Sequence, residues 1–264
     1  MQDLKLAFLQ TPLYWHDKGA NLAMLEEKIW NLDQQVDIIV LPEMFTTGFT
    51  MDVVSMAEPM NLTGTKWLKQ MASQTKAVVT GSIIISENGN YYNRLIWAQP
   101  DGEILSYDKR HLFRMAKEDH FFDMGKDRKI FKWKGWNILP QVCYDLRFPV
   151  WNRNKANEKG EMEYDLCFYI ASWPAPRSRA WDILLPARAV ENLCYSLGVN
   201  RIGTDGNNIA YTGHSALYDF KGRKLADAEE QEKHVVATIS YRELQEYRAK
   251  FPAWKDADAF TLGN

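Results

Sequence analysis

Asp37-Ile38-Ile39-Val40-Leu41-Pro42-Glu43 is a continuous apolar run that ends in a carboxylate. A strand apolar on both faces belongs inside a sheet covered on both sides. The pattern returns as Asp165-Leu166-Cys167-Phe168-Tyr169-Ile170, which likewise runs into Ser172-Trp173-Pro174. Around the first copy the pattern predicts a strand at Leu4–Leu9 and helices at Asn21–Leu32 and Thr63–Ser73. A strand at Ala77–Ile85 follows, then a hairpin, Tyr91–Gln99 and Glu103–Lys109, turned by Pro100-Asp101-Gly102. Around the second copy it predicts strands at Trp136–Val142 and Tyr195–Asn200 and a helix at Trp181–Leu193. A closing hairpin runs from His214–Asp219 through Lys221-Gly222-Arg223 to Val235–Ile239. The order is thus strand, helix, strand, helix, strand, hairpin, used twice. That is too few copies for a solenoid. It implies an α/β domain with internal pseudo-two-fold symmetry, sheets packed together and helices outside.

No Gly/Ser-rich linker divides the 264 residues, and the charged stretch Lys155–Glu163 reads as a surface loop. One domain over 1–240 is expected, followed by a tail over 241–264. The tail turns aromatic at Phe251-Pro252-Ala253-Trp254, so it should pack on the domain or at a dimer interface. A net charge of −2 argues against a dedicated nucleic-acid binder, which normally shows a basic face. No apolar stretch approaches membrane-spanning length, and the N-terminal apolar run is too short for a signal peptide. Cys143, Cys167 and Cys194 are far apart and form no C-x-x-C, which fits reduced thiols in a cytoplasmic protein.

Chemistry concentrates at the ends of strands. In Asn137–Pro149, NILPQVCYDLRFP, a buried-strand run breaks into a thiol, an acid, a base and a proline. Such a thiol sits on a rigid platform, and the turn after it offers free N–H groups, as a nucleophilic hydrolase requires. Any single Cys is more often core filler. Glu43 and Lys109, at other strand ends, supply an acid and a base that can deprotonate a thiol and stabilise an oxyanion. The histidines show no H-E-x-x-H and no G-x-S-x-G elbow occurs, which removes zincin and serine-hydrolase alternatives. Cys167, inside an apolar strand, and Cys194, after a helical run, read as core.

Leu41-Pro42-Glu43-Met44-Phe45, Asp108-Lys109-Arg110-His111-Leu112-Phe113 and Val142–Pro149 closely resemble the three signature segments of the nitrilase superfamily, the carbon–nitrogen hydrolases. They occur in that family's order, and the resemblance runs from about Leu4 to about Ile239. It implies a four-layer α-β-β-α sandwich, a homodimer or higher homo-oligomer, and no metal or cofactor. It also implies Glu43 as general base, Lys109 as support for the tetrahedral intermediate and Cys143 as nucleophile. The Tyr144 N–H would share the oxyanion role, and Glu118, ahead of Gly125, matches a second glutamate that many members carry. Glu43 then needs a raised pKa, which burial between sheets would provide.

Within the superfamily the chain is most similar to the omega-amidase branch. This rests on Asp145–Trp151, on Ala171–Ser178 and on Phe251–Trp254. The expected substrate is a small amide such as 2-oxoglutaramate or 2-oxosuccinamate. Other amidases, nitrilases and carbamoylases share the triad, and a catalytically silent binding protein of the same fold is the alternative outside enzymology. A substrate carboxylate calls for a cation in the pocket; Arg177 and the Trp173 region are the candidates. Asp145 and Arg147 read as scaffolding, Arg147 as the ion-pair partner of a nearby acid. His111 reads as a buttress of the site.

Overall fold

A computed structural model describes residues 2–157 and 159–261. The first half runs β1 (Leu4–Gln10), α1 (Lys18–Trp30), β2 (Ile38–Val40), the short α2 (Val53–Met56), α3 (Thr63–Thr75), β3 (Val78–Glu87), β4 (Asn90–Ala98) and β5 (Ile104–Asp108). The second half begins with β6 (Phe131–Trp133), β7 (Trp136–Val142), the short α4 (Pro149–Asn152), β8 (Leu166–Ala171) and α5 (Ser178–Asn192). It continues through β9 (Tyr195–Asn200), β10 (Ile202–Thr204), β11 (Ala210–Thr212), β12 (Ala216–Tyr218), β13 (Lys224–Asp227), β14 (Lys233–Ile239) and α6 (Tyr241–Lys250).

Two six-stranded sheets form, in the orders β14-β1-β2-β3-β4-β5 and β13-β12-β9-β8-β7-β6. In each, three adjacent strands are parallel (β1, β2, β3 and β7, β8, β9) and a hairpin extends one edge antiparallel. The pseudo-two-fold repeat therefore maps β1 to β7, β2 to β8 and β3 to β9. Alternation along the strands builds the layers, because successive side chains point to opposite faces. Leu6, Phe8, Ile38 and Val40 join the core between the sheets, whereas Ala7, Leu9 and Ile39 meet Leu22, Leu25 and Ile29 of α1 and Leu68 and Met71 of α3. Trp97 of β4 bridges the sheets, its ring 5.5 Å from that of Phe131 and 6.1 Å from that of Phe168. On the far side Trp181, Leu185 and Ala189 of α5 close the second outer layer. The α-β-β-α sandwich follows from that count of faces.

Local chemistry sets the boundaries. Asp17 caps α1, its carboxylate accepting the Ala20 N–H at 2.9 Å, a contact that typically contributes ~1 kcal/mol. The β6–β7 turn is Lys134-Gly135, both at positive φ (49° and 88°), as a two-residue hairpin turn requires.

The final hairpin differs from expectation. Val235–Ile239 does not pair with His214–Asp219; as part of β14 it pairs antiparallel with β1, Ile239 opposite Leu4. The partner of β12 is β13, Lys224–Asp227. Apolar alternation fits either pairing, and the open edge of the first sheet takes the longer strand. The tail packs on its own domain: Leu244 is buried, and Arg248 pairs with Asp165 at 2.6 Å while donating to the Leu193 and Tyr164 carbonyls. Residues 262–264 of the expected tail lie outside the described residues.

Candidate active site

The ends of β2, β5, β7 and β8 converge at one point. Glu43 lies just past β2, Lys109 just past β5, and Cys143 directly after β7, where the backbone enters a 3-10 turn over Cys143–Arg147. Cys143 takes φ +46° and Met44, beside Glu43, φ +45°. Both are left-handed conformations that non-glycine residues adopt at a cost, concentrated at functional sites. As an early residue of the 3-10 turn, Tyr144 carries one of the N–H groups that helix geometry leaves without an internal partner.

Four of the expected site residues meet in a buried cluster. The Lys109 Nζ lies 2.9 Å from Glu43 Oε1 and 2.9 Å from both Glu118 oxygens, with Glu43 and Glu118 fully buried. Glu43 Oε2 accepts the Ser172 N–H at 2.7 Å, so the second half of the chain orients the first half's carboxylate. Glu118 Oε2 accepts the Phe113 N–H at 2.6 Å. Asp119, its neighbour, turns away and pairs with Arg114. The Glu43 carboxylate acts on the Cys143 thiol, whose pKa it raises. Asn93 of β4, not singled out by sequence, donates to both glutamates.

Electrostatics follow from burial. Desolvation alone would lower the Lys109 pKa, but Glu118 and Glu43 outweigh it and hold the ammonium above its ordinary value. Burial, then the Glu43 charge, pushes the Cys143 thiol well up, with Lys109 opposing. A neutral thiol beside a carboxylate is the arrangement general-base activation needs. Burial also raises the Glu118 pKa, against the pull of Lys109.

Asp145 anchors the thiol turn, as expected of it. Its carboxylate accepts from the Val142 N–H (3.0 Å), the His111 N–H (2.9 Å) and the Tyr107 hydroxyl (2.8 Å), tying the cysteine loop to the lysine loop. His111 pairs with it and stacks on Phe148. Arg147 departs from expectation: it has no acidic partner among the described residues and lies over the Trp173 ring at 4.9 Å. Asp145 is already filled by other donors, which frees Arg147 for the cleft.

That cleft opens on the thiol and is lined by Phe49, Phe113, Tyr144, Arg147, Trp173 and Arg177 among others. Trp173 is fixed by its Nε1–H donating to the Arg177 carbonyl at 2.8 Å. Arg177 rests over Phe113, 5.4 Å from the ring centre. Ile209 and Tyr211 of the β10–β11 hairpin complete the wall, an element the sequence pattern did not predict. Its strands are three residues each, too short for a periodicity to register.

Gly125 holds the lysine in place. A Cβ there would stand 2.0 Å from the Asp108 carbonyl oxygen, and the Gly125 N–H donates to the Lys109 carbonyl at 2.9 Å. Gly125→Ala must therefore push the end of β5 away. Expected is a loss of roughly 2–3 kcal/mol of stability by denaturant unfolding, with activity lost beyond the unfolded fraction.

A sequence profile of the carbon–nitrogen hydrolase family matches residues 5–249. The chain belongs to that family. It is 48% identical to the omega-amidase YafV of Yersinia enterocolitica, over 99% of this chain and all of that protein. It is 32% identical to the 2-oxoglutaramate amidase of Bacillus subtilis, with 95% and 96% of the two chains covered. A carbon–nitrogen hydrolase superfamily protein of Xanthomonas campestris, solved with an arsenic adduct in its active site, superposes with a TM-score of 0.97 at 43% identity, each chain fully covered. Yeast Nit3, at 23% identity and a TM-score of 0.82 over 95% of each chain, shares the fold.

Proposed function

We propose that this carbon–nitrogen hydrolase is an omega-amidase, releasing ammonia from the terminal amide of 2-oxoglutaramate or 2-oxosuccinamate. The observation that carries the reading is the cleft, which sets two arginines without acidic partners among the described residues, Arg147 and Arg177, against the same apolar walls as Cys143. A substrate with a carboxylate at one end and an amide at the other fits that polarity. The names borne by the relatives agree with it.

In the reaction Glu43 takes the thiol proton as Sγ attacks the amide carbon. Lys109 and the Tyr144 N–H receive the oxyanion. Glu43 then delivers its proton to the departing nitrogen, ammonia leaves, and a thioester remains on Cys143. Water, deprotonated by Glu43, attacks the thioester; the carboxylic acid departs and the thiol regains its proton. Glu118 keeps Lys109 charged and in place throughout. We assign the enzyme to the cytoplasm as a homodimer or larger homo-oligomer. The exposed Ile183 and Val190 of α5 support self-association, which light scattering tests.

The test is ammonia release from 2-oxoglutaramate, with a nitrile and an N-carbamoyl amine as competing substrates. Faster turnover of either competitor overturns the reading. Arg147→Met and Arg177→Met are expected to raise KM for 2-oxoglutaramate about 10–100-fold, the usual worth of a charge-assisted hydrogen bond. Hydrolysis of an uncharged amide of similar length should change little. Equal losses on both substrates would show that neither arginine reads the carboxylate.

A further inference from the structure

We propose that Asn93 is a positioning residue for Glu43: its side-chain amide, the one neutral side-chain donor shared by the two buried carboxylates among the described residues, fixes which glutamate oxygen faces the thiol. This rests on the roles given above to Glu43 and Cys143. Asn93 is 1% exposed, and its Nδ2 lies 2.8 Å from Glu43 Oε1 and 3.4 Å from Glu118 Oε1. Its own carbonyl accepts the Lys109 N–H at 3.0 Å. One residue of β4 thus registers the lysine main chain and both glutamate head groups.

A carboxylate has about four acceptor sites. On Glu43, Lys109 and Asn93 fill Oε1, and the Ser172 N–H takes one site on Oε2. A single site on Oε2 is left for the thiol proton. Without Asn93, Oε1 is held by Lys109 alone, and Lys109 is shared with Glu118. The head group then gains freedom to turn its basic oxygen off the thiol.

Neutrality of the donor matters as well. A second cation would make Glu43 a weaker base, whereas a third carboxylate would add repulsion to a cluster that already carries two acids and one base. The amide has a cost, since its Oδ1 is buried with no partner among the described residues. An unpaired buried acceptor is unfavourable, so packing alone would favour an apolar side chain of similar size. The groups that face Glu43 are Lys109 after β5, Glu118 on the following connection, Cys143 after β7 and Tyr211 on the β10–β11 hairpin.

The experiment compares kcat and KM of Asn93→Leu and Asn93→Ser with those of the wild-type chain on 2-oxoglutaramate. Asn93→Leu keeps the volume and deletes the donor; Asn93→Ser keeps a hydroxyl donor. Expected for Asn93→Leu is a kcat about 10–100-fold lower with KM within about two-fold, a split that a merely structural role would not produce. Asn93→Ser should fall between Leu and wild type. A drop in kcat that merely tracks the folded fraction in both variants, or one matched by an equal rise in KM, overturns the proposal. Intact-mass detection of the acyl adduct on wild-type Cys143 separates the two levels: its absence defeats the underlying mechanism, whereas its presence with unaffected Asn93 variants defeats the positioning role alone.

Discussion

Cys143→Ala is expected to lower ammonia release from 2-oxoglutaramate by about six orders of magnitude, the scale seen when a covalent nucleophile is deleted. The remaining groups, Glu43, Lys109 and Glu118, have nothing to activate, because the carboxylate faces the thiol and the alanine methyl cannot attack. The fold should be spared. Cys143 supplies one small side chain at the cleft floor, and its φ of +46° is no worse for alanine than for cysteine. The check has two parts: an ammonia assay, and intact mass after mixing with substrate, in which wild type carries an acyl adduct and the variant does not. Ammonia release at the wild-type rate from Cys143→Ala would end the case for a thioester.

Lys109→Met should damage both chemistry and stability. The ammonium makes short contacts to two buried carboxylates. Removing one partner of a buried ionic cluster typically costs about 3–5 kcal/mol, because the remaining charges are left uncompensated. For a chain of this size that is a fall in Tm of roughly 10 °C. Loss of an oxyanion donor removes a further 10²–10³-fold or so from kcat. The pH dependence has a definite sign. Burial and Glu43 hold the Glu118 pKa above its ordinary 4.5, and only Lys109 and hydrogen bonds oppose them. In the variant it rises further, so the native state binds a proton that the unfolded chain has lost. Stability of the variant is therefore best retained below the unfolded value of about 4.5 and is lost as pH rises through the folded pKa. Thermal unfolding of both proteins at pH 5 and pH 8 should show a larger deficit at pH 8. A constant deficit would mean that the carboxylates are not the source of the penalty.

The architecture was legible because parallel strands buried on both faces announce themselves. Asp37–Leu41 and Asp165–Ile170 became the centres of the two sheets, β2 and β8. Lys109, Cys143 and Glu43 were legible as strand-end chemistry, and their signature segments made the assignment specific. Glu118 was legible by its place ahead of Gly125, a place its neighbour Asp119 shares, and the structure puts only Glu118 in the cluster.

What stayed hidden depended on partners distant in sequence. Asn93 sits inside an ordinary hairpin strand, and its meaning appears only when β4 lies beside residues fifty positions away. Arg147 was read as the ion-pair partner of a nearby acid, and Asp145 lies two residues away. Three-dimensional packing gave that acid to Tyr107 and His111 instead. The pairing of β14 was equally beyond reach, since alternation records which face is apolar and not which neighbour supplies the hydrogen bonds.

That last pairing has a consequence during synthesis. The first strand of the chain waits for the last: Leu4 cannot meet Ile239 until nearly everything between has been translated. At about 5–20 residues per second the open edge of β1 persists for roughly 10–50 s on the ribosome. Throughout that interval the Glu43 half is a sheet with an unsatisfied border, a template for pairing with other nascent chains. Completion of the enzyme is then a closing event, in which the arriving C-terminal strand seals the border and seats α6 on the second sheet.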